Sequence, residues 1–361
     1  MSFPPPPALL TPLDLRHLRL RNRVGVSPMC MYAVPDGSGR VSDWHVVHYG
    51  QFAMGGAGLV ITEATAVTPE GRVTPQDAGL WSDDHIAPWR RVTDAVHRAG
   101  GAIAVQLAHA GRKGGKFAGL PGDAPSDRGS VPSERGGWTT VGASGTPFGR
   151  YSPPRRADTH DLPEIVAAFA DAAARAVAAG FDAVELHAAH GYLLHEFLSP
   201  VTNVRDDAWG DDREAFLLRA VEAVREAIPV TMPLIVRISA DDVAPGGLTA
   251  EESAVLATRL ASAGVDLVDC SSGGLVDGAE YDPYPGYQVS GAARVRAAGV
   301  MTAAVGLIDD PHHAESILRE GAADLVLLGR AMLRDPHWVR RAEHALTGSA
   351  TIEPRYHRAY V

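Results

Sequence analysis

His187, His190 and Tyr192 fall within six residues, with His195 close behind. Two chemistries suit that set. As metal ligands, His187, His190 and His195 would converge as neutral imidazoles on one ion, with Glu185 or Glu196 as a further ligand. Without a metal, two imidazoles three residues apart could hydrogen-bond one carbonyl oxygen, while the phenol two residues on supplies a proton. The spacing matches neither HExxH nor another zinc signature, which favours the metal-free reading. A hydrogen-bonded pair of core histidines is the plain alternative. Arg237 poses a second question, because it lies among Leu234, Ile235, Val236 and Ile238. A guanidinium inside an apolar run requires a partner. That partner is either a carboxylate such as Glu185 or Glu63, or an anionic ligand. Gly306, Gly329 and Arg330 offer backbone N–H groups and a cation at the end of the chain's last two apolar runs, where phosphate sites commonly form.

These residues share one kind of position. Eight short apolar runs read as buried parallel strands: Val24–Pro28, Leu59–Thr65, Ala102–Leu107, Asp182–His187, Pro233–Ser239, Asp266–Cys270, Val300–Val305 and Asp324–Leu328. Helical stretches follow them at Trp44–Met54, Ile86–Ala99, Pro163–Ala179, Glu214–Ala227, Ala250–Ala263, Gln288–Ala298, Pro311–Glu320 and Ala331–Leu346. Asp161, Thr249 with Glu251 and Glu252, and Asp310 before Pro311 mark helix starts. Gly100, Gly180, Gly264, Gly299 and Gly321 mark helix ends. This alternation predicts a closed (β/α)8 TIM barrel in preference to an open doubly wound sheet. Chemistry in such a barrel belongs at the strand C-termini, where Ser27–Tyr32, Glu63–Thr65, Gln106, His187 and Arg237 all fall. One segment, residues 111–159, is dense in Gly, Pro and Ser and reads as a cap over the site after strand three.

Composition narrows the class. The chain has 361 residues, 45% hydrophobic and 21% charged, with a net charge of −10. It reads as one domain, residues 1–361, since barrels exceed the usual domain length. The acidic balance argues against nucleic acid as a partner, and the lack of an apolar run of about 18 residues argues against a membrane span. Only Lys113 and Lys116 among 33 basic residues are lysines, which reads as compositional bias. Two cysteines, Cys30 and Cys270, make neither a disulfide framework nor a metal motif. The proline-rich start has no signal-peptide pattern, so a cytoplasmic enzyme acting on a small molecule is expected.

Four ordered motifs then resemble a known family. They are Ser27–Pro28–Met29–Cys30–Met31–Tyr32, Gln106 through Lys113, Glu185 through Tyr192, and Asn203 through Asp207. Together they resemble the old yellow enzymes, FMN-dependent ene-reductases, over essentially the whole chain. Cys30 and the closing Arg355–Arg358 are similar to the thermophilic-like, xenobiotic reductase branch. The resemblance implies FMN as cofactor and NADPH as reductant of an activated C=C bond, in a ping-pong cycle. It implies FMN contacts from Ser27, Pro28, Met29, Cys30, Ala64, Gln106, Arg237, Gly306, Gly329 and Arg330. It implies substrate contacts from Tyr32, His187, His190 and Tyr192. Tyr192 would give the proton, the histidines would hold the carbonyl, and Cys30 would tune the flavin. No metal is implied. Arg358 would reach the site of a partner subunit in a homodimer or dimer-based tetramer, with the tail 347–361 at the interface. The stretch Trp209–Arg213 is shorter than in many relatives, which puts only local loop shape in question. No GxGxxG fingerprint is present, so the nicotinamide is expected to visit the substrate pocket itself.

Overall fold

The structure, a computed structural model, describes residues 5–121, 123–124 and 126–359. Eight parallel strands close into a barrel: β1 Val24–Val26, β2 Leu59–Ala66, β3 Ala102–Ala108, β4 Ala183–Ala188, β5 Leu234–Ser239, β6 Leu267–Ser271, β7 Thr302–Ala304 and β8 Leu325–Leu328. Every expected strand is present, and the TIM-barrel expectation holds. The expected glycines end their helices in the left-handed region, with φ from 71° at Gly321 to 98° at Gly264. Thr249 and Glu252 form a reciprocal capping box, and the Asp310 side chain accepts from His313 N–H. Asp161 is the first residue of its helix, and its carboxylate takes a two-pronged contact from Arg155 while also accepting from Asp158 N–H at 2.6 Å. The last expected helix is also two pieces, Arg330–Arg334 and Trp338–Thr347, broken at Asp335–Pro336.

Strand alternation divides the barrel interior by depth. Inward positions near the strand starts are apolar: Leu59, Ala104, Ala183, Ile235, Leu267, Ala303 and Leu325 pack in one cluster. Leu13, Leu15 and Leu20 of an antiparallel hairpin, Leu13–Leu15 with Leu18–Leu20, join that cluster and close the barrel floor. The hairpin was not foreseen. Two residues further along β3 to β6 the same face turns polar, at Gln106, Glu185, Arg237 and Asp269, all buried. The floor is therefore dry, and the mouth carries the chemistry.

The cap, residues 111–159, is more ordered than its composition suggests. It pairs two short parallel strands, Val141–Gly142 and Arg155–Arg156. The buried Glu196, in the helix Leu193–Leu198 after β4, ties it down. Its two oxygens accept from Arg112 N–H at 2.8 Å and Ala143 N–H at 3.0 Å. Gly111 lies so close that a Cβ there would sit 1.9 Å from Glu196 Oε1.

Candidate active site

Register brings Arg237 level with His187 on one neighbouring strand and Asp269 on the other. The Arg237 Nη1 donates to Ser27 Oγ at 3.1 Å and lies 3.3 Å from Asp269 Oδ2. The sequence-based partners Glu185 and Glu63 are thus corrected to Asp269. Glu185 instead accepts from Gln106 Nε2 at 2.7 Å, and Glu63 is engaged beneath the first strand's loop. Burial, reinforced by the Asp269 charge, pushes the Glu185 carboxyl up. Burial raises the Asp269 carboxyl as well, and the neighbouring Arg237 charge opposes that rise. Three buried polar groups of this layer are left without hydrogen-bond partners: Arg237 Nε, Glu185 Oε2 and the Asp269 oxygens. A native interior rarely leaves so many orphans together unless a ligand meets them.

Beside this layer a cavity of about 540 Å³ opens at the barrel mouth. Arg237, His190, Gly306, Gly329 and Arg330 all line it, so five expected site residues converge. Gly306 adopts φ 130° and Leu307 an uncommon non-glycine φ of 53°. Among the described residues Arg330 has no ion-pair partner, whereas the nearby Arg334 holds Asp309 at 2.5 Å. Met29 packs behind Gly329, where a Cβ would lie 3.5 Å from its sulfur. Ser271, Ser272, Tyr287 and Gln288 also line the cavity and were missed. Only Ser271, which ends β6 as Ser239 ends β5, had a sequence signal.

The turn after β4 assembles the proposed chemical groups. The His187 and His190 rings lie 5.2 Å apart centre to centre, and His187 and Tyr192 4.8 Å apart. Ala189 N–H donates to His187 Nδ1 at 3.3 Å, which leaves the proton on Nε2 and makes that nitrogen a donor. His190 Nε2 lies 2.8 Å from Ser271 Oγ. Burial, then the Arg237 charge, holds both imidazoles far below their ordinary range, so they are neutral. Burial raises the Tyr192 phenol, which stays protonated at neutral pH. His190 itself takes φ 59°, a strained conformation for a side-chain-bearing residue. Its N–H donates to Ser239 Oγ at 2.9 Å, and its carbonyl accepts from Lys113 Nζ at 2.9 Å. Lys113, to which the sequence assigned no role, also binds Gly274 O at 2.9 Å and sits 5.3 Å over the Tyr192 ring. The three histidines do not converge on one point, since His195 Nε2 is taken by Asp242 at 2.7 Å.

The loop after β1 holds Cys30 and Tyr32. Pro28 and Met29 precede them, and Ala64 of β2 pairs in register with Gln106. Tyr32 also takes a left-handed φ, 55°. Its backbone is braced by Glu63, whose Oε2 accepts from Met31 N–H at 3.0 Å and whose Oε1 accepts from Tyr49 at 2.9 Å. Burial raises the Cys30 thiol well above its usual range, so it is not a thiolate. Arg358 is the one expected site residue that lies elsewhere. It is exposed on the turn Pro354–Ala359, whose Tyr356 packs toward Arg340 and His344 rather than the barrel mouth. The shortened stretch Trp209–Arg213 lies beside Leu248 and Glu252, also outside the mouth.

Known proteins share this architecture. A family model described as the NADH:flavin oxidoreductase / NADH oxidase family matches residues 8–348. An NADPH dehydrogenase of Geobacillus thermodenitrificans is 44% identical over 357 residues, 98% of each chain. An NADPH dehydrogenase of Bacillus subtilis is 42% identical over 358 residues, 98% of this chain and 99% of that one. Among solved structures, morphinone reductase superposes with a TM-score of 0.77 at 29% identity, over 96% of this chain and 91% of its own. A 2-naphthoyl-CoA reductase complex gives a TM-score of 0.83 at 25% identity, with 95% of this chain spanning 52% of that longer one.

Proposed function

Because the chain belongs to the NADH:flavin oxidoreductase / NADH oxidase family, as an old yellow enzyme that uses FMN and NADPH, we propose that it reduces the activated C=C bond of α,β-unsaturated carbonyl and related electron-poor compounds. The observation that carries this reading is the neutral His187–His190 pair with Tyr192, set beside a buried Arg237 whose Nε has no partner. The residues present fit FMN. The orphaned atoms at Arg237, Glu185 and Asp269 suit the polar edge of an isoalloxazine, with Gln106 and Ser27 alongside. Gly306, Gly329 and the unpaired Arg330 suit a phosphate. Pro28, Met29, Cys30 and Ala64 would complete the ring's surroundings. When bound, FMN supplies two-electron hydride chemistry between NADPH and the electron-poor double bond.

The chain's own residues do the rest. His187, with its proton on Nε2, donates to the substrate carbonyl, and His190 supplies the second contact. Both bonds strengthen as that oxygen gathers charge. Arg237 sits where negative charge on the cofactor would be favoured. Tyr192 delivers its phenolic proton to the α-carbon. Tyr32 borders the substrate, and Cys30 acts as a neutral thiol that shapes the pocket. NADPH and acceptor use one pocket in turn, which gives ping-pong kinetics; intersecting double-reciprocal lines would contradict this. The assembly in this reading is a cytoplasmic homodimer or dimer-based tetramer. The tail 347–361, whose last two residues lie outside the described ones, would sit at the interface and offer Arg358 to the partner's site. The free thiols of Cys30 and Cys270 accord with a reducing compartment. The test is anaerobic: NADPH should bleach the flavin of the purified protein, and 2-cyclohexenone should restore its colour. A bleached flavin indifferent to enones would overturn the substrate assignment.

A further inference from the structure

Tyr192 and His190 flank Gly191, and the backbone N–H of Gly191 donates to His195 Nδ1 at 2.9 Å. His195 is the third residue of the short helix that begins after Tyr192, so its ring reaches back over the helix start. A capping-box glutamate does something similar one residue further on. Because Nδ1 accepts, the ring proton belongs on Nε2, which donates to Asp242 Oδ1 at 2.7 Å. Asp242 lies in the loop after β5. Its Oδ2 accepts from Ser199 Oγ at 2.6 Å and Leu248 N–H at 2.7 Å. His195, Ser199 and Asp242 are completely buried, yet each polar side-chain atom is satisfied. Burial opposes ionisation of Asp242, but the His195 and Ser199 hydrogen bonds prevail and hold its carboxyl below the ordinary value.

The backbone around this pair is strained on both sides. His190 and Gly191 are consecutive left-handed residues, φ 59° and 70°, and Val243, next to Asp242, takes φ 52° despite its β-branch. A Cβ on Gly191 would lie 2.7 Å from Gly274 O, so the turn is also wedged against the loop after β6. Strained backbone of this kind persists only where its surroundings over-determine it.

We infer that His195 and Asp242 form a positioning dyad, which fixes the Gly191 N–H and thereby holds His190 and Tyr192 in the arrangement that protonates substrate. The inference rests on the function proposed above for Tyr192. Two substitutions divide the dyad. His195→Asn keeps an acceptor near Gly191 but is too short to reach Asp242. His195→Gln reaches Asp242 but offers Gly191 no acceptor. Reduced, FMN-loaded variants are reoxidised by 2-cyclohexenone, which needs the tyrosine proton, or by dioxygen, which does not. His195→Gln is expected to slow the enone reaction about 10- to 100-fold while sparing the dioxygen reaction. His195→Asn, which keeps the Gly191 contact but loses Asp242, should slow the enone reaction less than His195→Gln and likewise spare the dioxygen reaction. Equal loss with both acceptors, or no loss with either, overturns the dyad. A wild-type enzyme that no enone reoxidises overturns the functional reading itself. Nitrogen-15 NMR of the unsubstituted protein, with or without FMN, supplies a readout apart from activity. The His195 ring should be the Nε2–H tautomer, and a proton on Nδ1 would overturn the inference even if His195→Gln does not fold.

Discussion

The two sides of the barrel mouth are built by different means. Around Gly306, Gly329 and Arg330 the cavity wall carries two glycines and one long, exposed cation. Around His187, His190 and Tyr192 it is side chains on a turn braced from elsewhere: Ser239 of β5, Ser271 of β6 and Lys113 of the cap bond His190, and Asp242 beyond β5 bonds His195. Backbone N–H groups at glycines and an exposed arginine can grip an anion without fine placement. A proton donor must be set to a fraction of an ångström. Strain follows the same division in part. His190 and Tyr32 are bent into left-handed conformations on the chemical side, while the anion side has one such residue, Leu307, beside its glycine.

The largest expected effect lies on the chemical side. Tyr192→Phe keeps the ring that packs against His187 at 4.8 Å but deletes the proton. The rate of flavin reoxidation by 2-cyclohexenone should fall about 10²- to 10⁴-fold, the range of general acid catalysis. Flavin reduction by NADPH, which needs no proton from this phenol, should keep its rate in the same stopped-flow experiment. If both half-reactions slowed together, Tyr192 would be a packing residue and the contrast between the two walls would lose its sharper half.

The two walls also differed in how far they could be read from the sequence. The barrel was legible because eight apolar runs and their C′ glycines obey local rules, and the observed left-handed glycines follow directly. The polar rim was legible too, since Gln106, His187 and Arg237 stand at strand ends by position alone. What holds them was not. Arg237 pairs with Asp269, and His195 with Asp242, through strand register and loop contact that no local pattern encodes. The floor hairpin was missed although Leu13, Leu15, Leu18 and Leu20 alternate, because its strands are only three residues long. The cap misled in the other direction: Gly, Pro and Ser suggested irregular chain, whereas one buried carboxylate, Glu196, orders it from a distant helix.

On the anion side the expected effect is smaller and of another kind. Arg330→Ala removes an unpaired charge from the cavity wall while the backbone donors remain. A charge-assisted hydrogen bond contributes about 1.5–3 kcal/mol, so FMN affinity should weaken by roughly 10- to 100-fold. Fluorescence titration of apoprotein with FMN measures this, and the loss should shrink at high salt. At saturating FMN the enone rate should match the wild type. A reduced rate in the fully loaded variant would mean that the anion wall also sets the position of the reacting groups, and the division drawn above would fail.

The smallest effect concerns stability, and it too should arise on the chemical side. Glu63, which braces the strained Tyr32 through Met31 N–H, has its carboxyl pushed by burial from its ordinary 4.5 up to about 7. A carboxyl raised on folding is favoured in its protonated form. Its contribution to stability is therefore complete below the unfolded value and declines as pH rises through the folded one. The melting temperature of the wild-type apoprotein should accordingly sag between about pH 5 and 8, by a few degrees at most. Glu63→Gln keeps an oxygen to accept from Met31 N–H but has no proton to lose, so its melting curve should be flatter across that window. Arg330→Ala should leave the wild-type slope unchanged, because it removes an exposed side chain and no buried carboxyl. If Glu63→Gln retained the full slope, the pH sensitivity would have to come from another buried acid, with Glu196 the first to examine because burial also raises it to about 7.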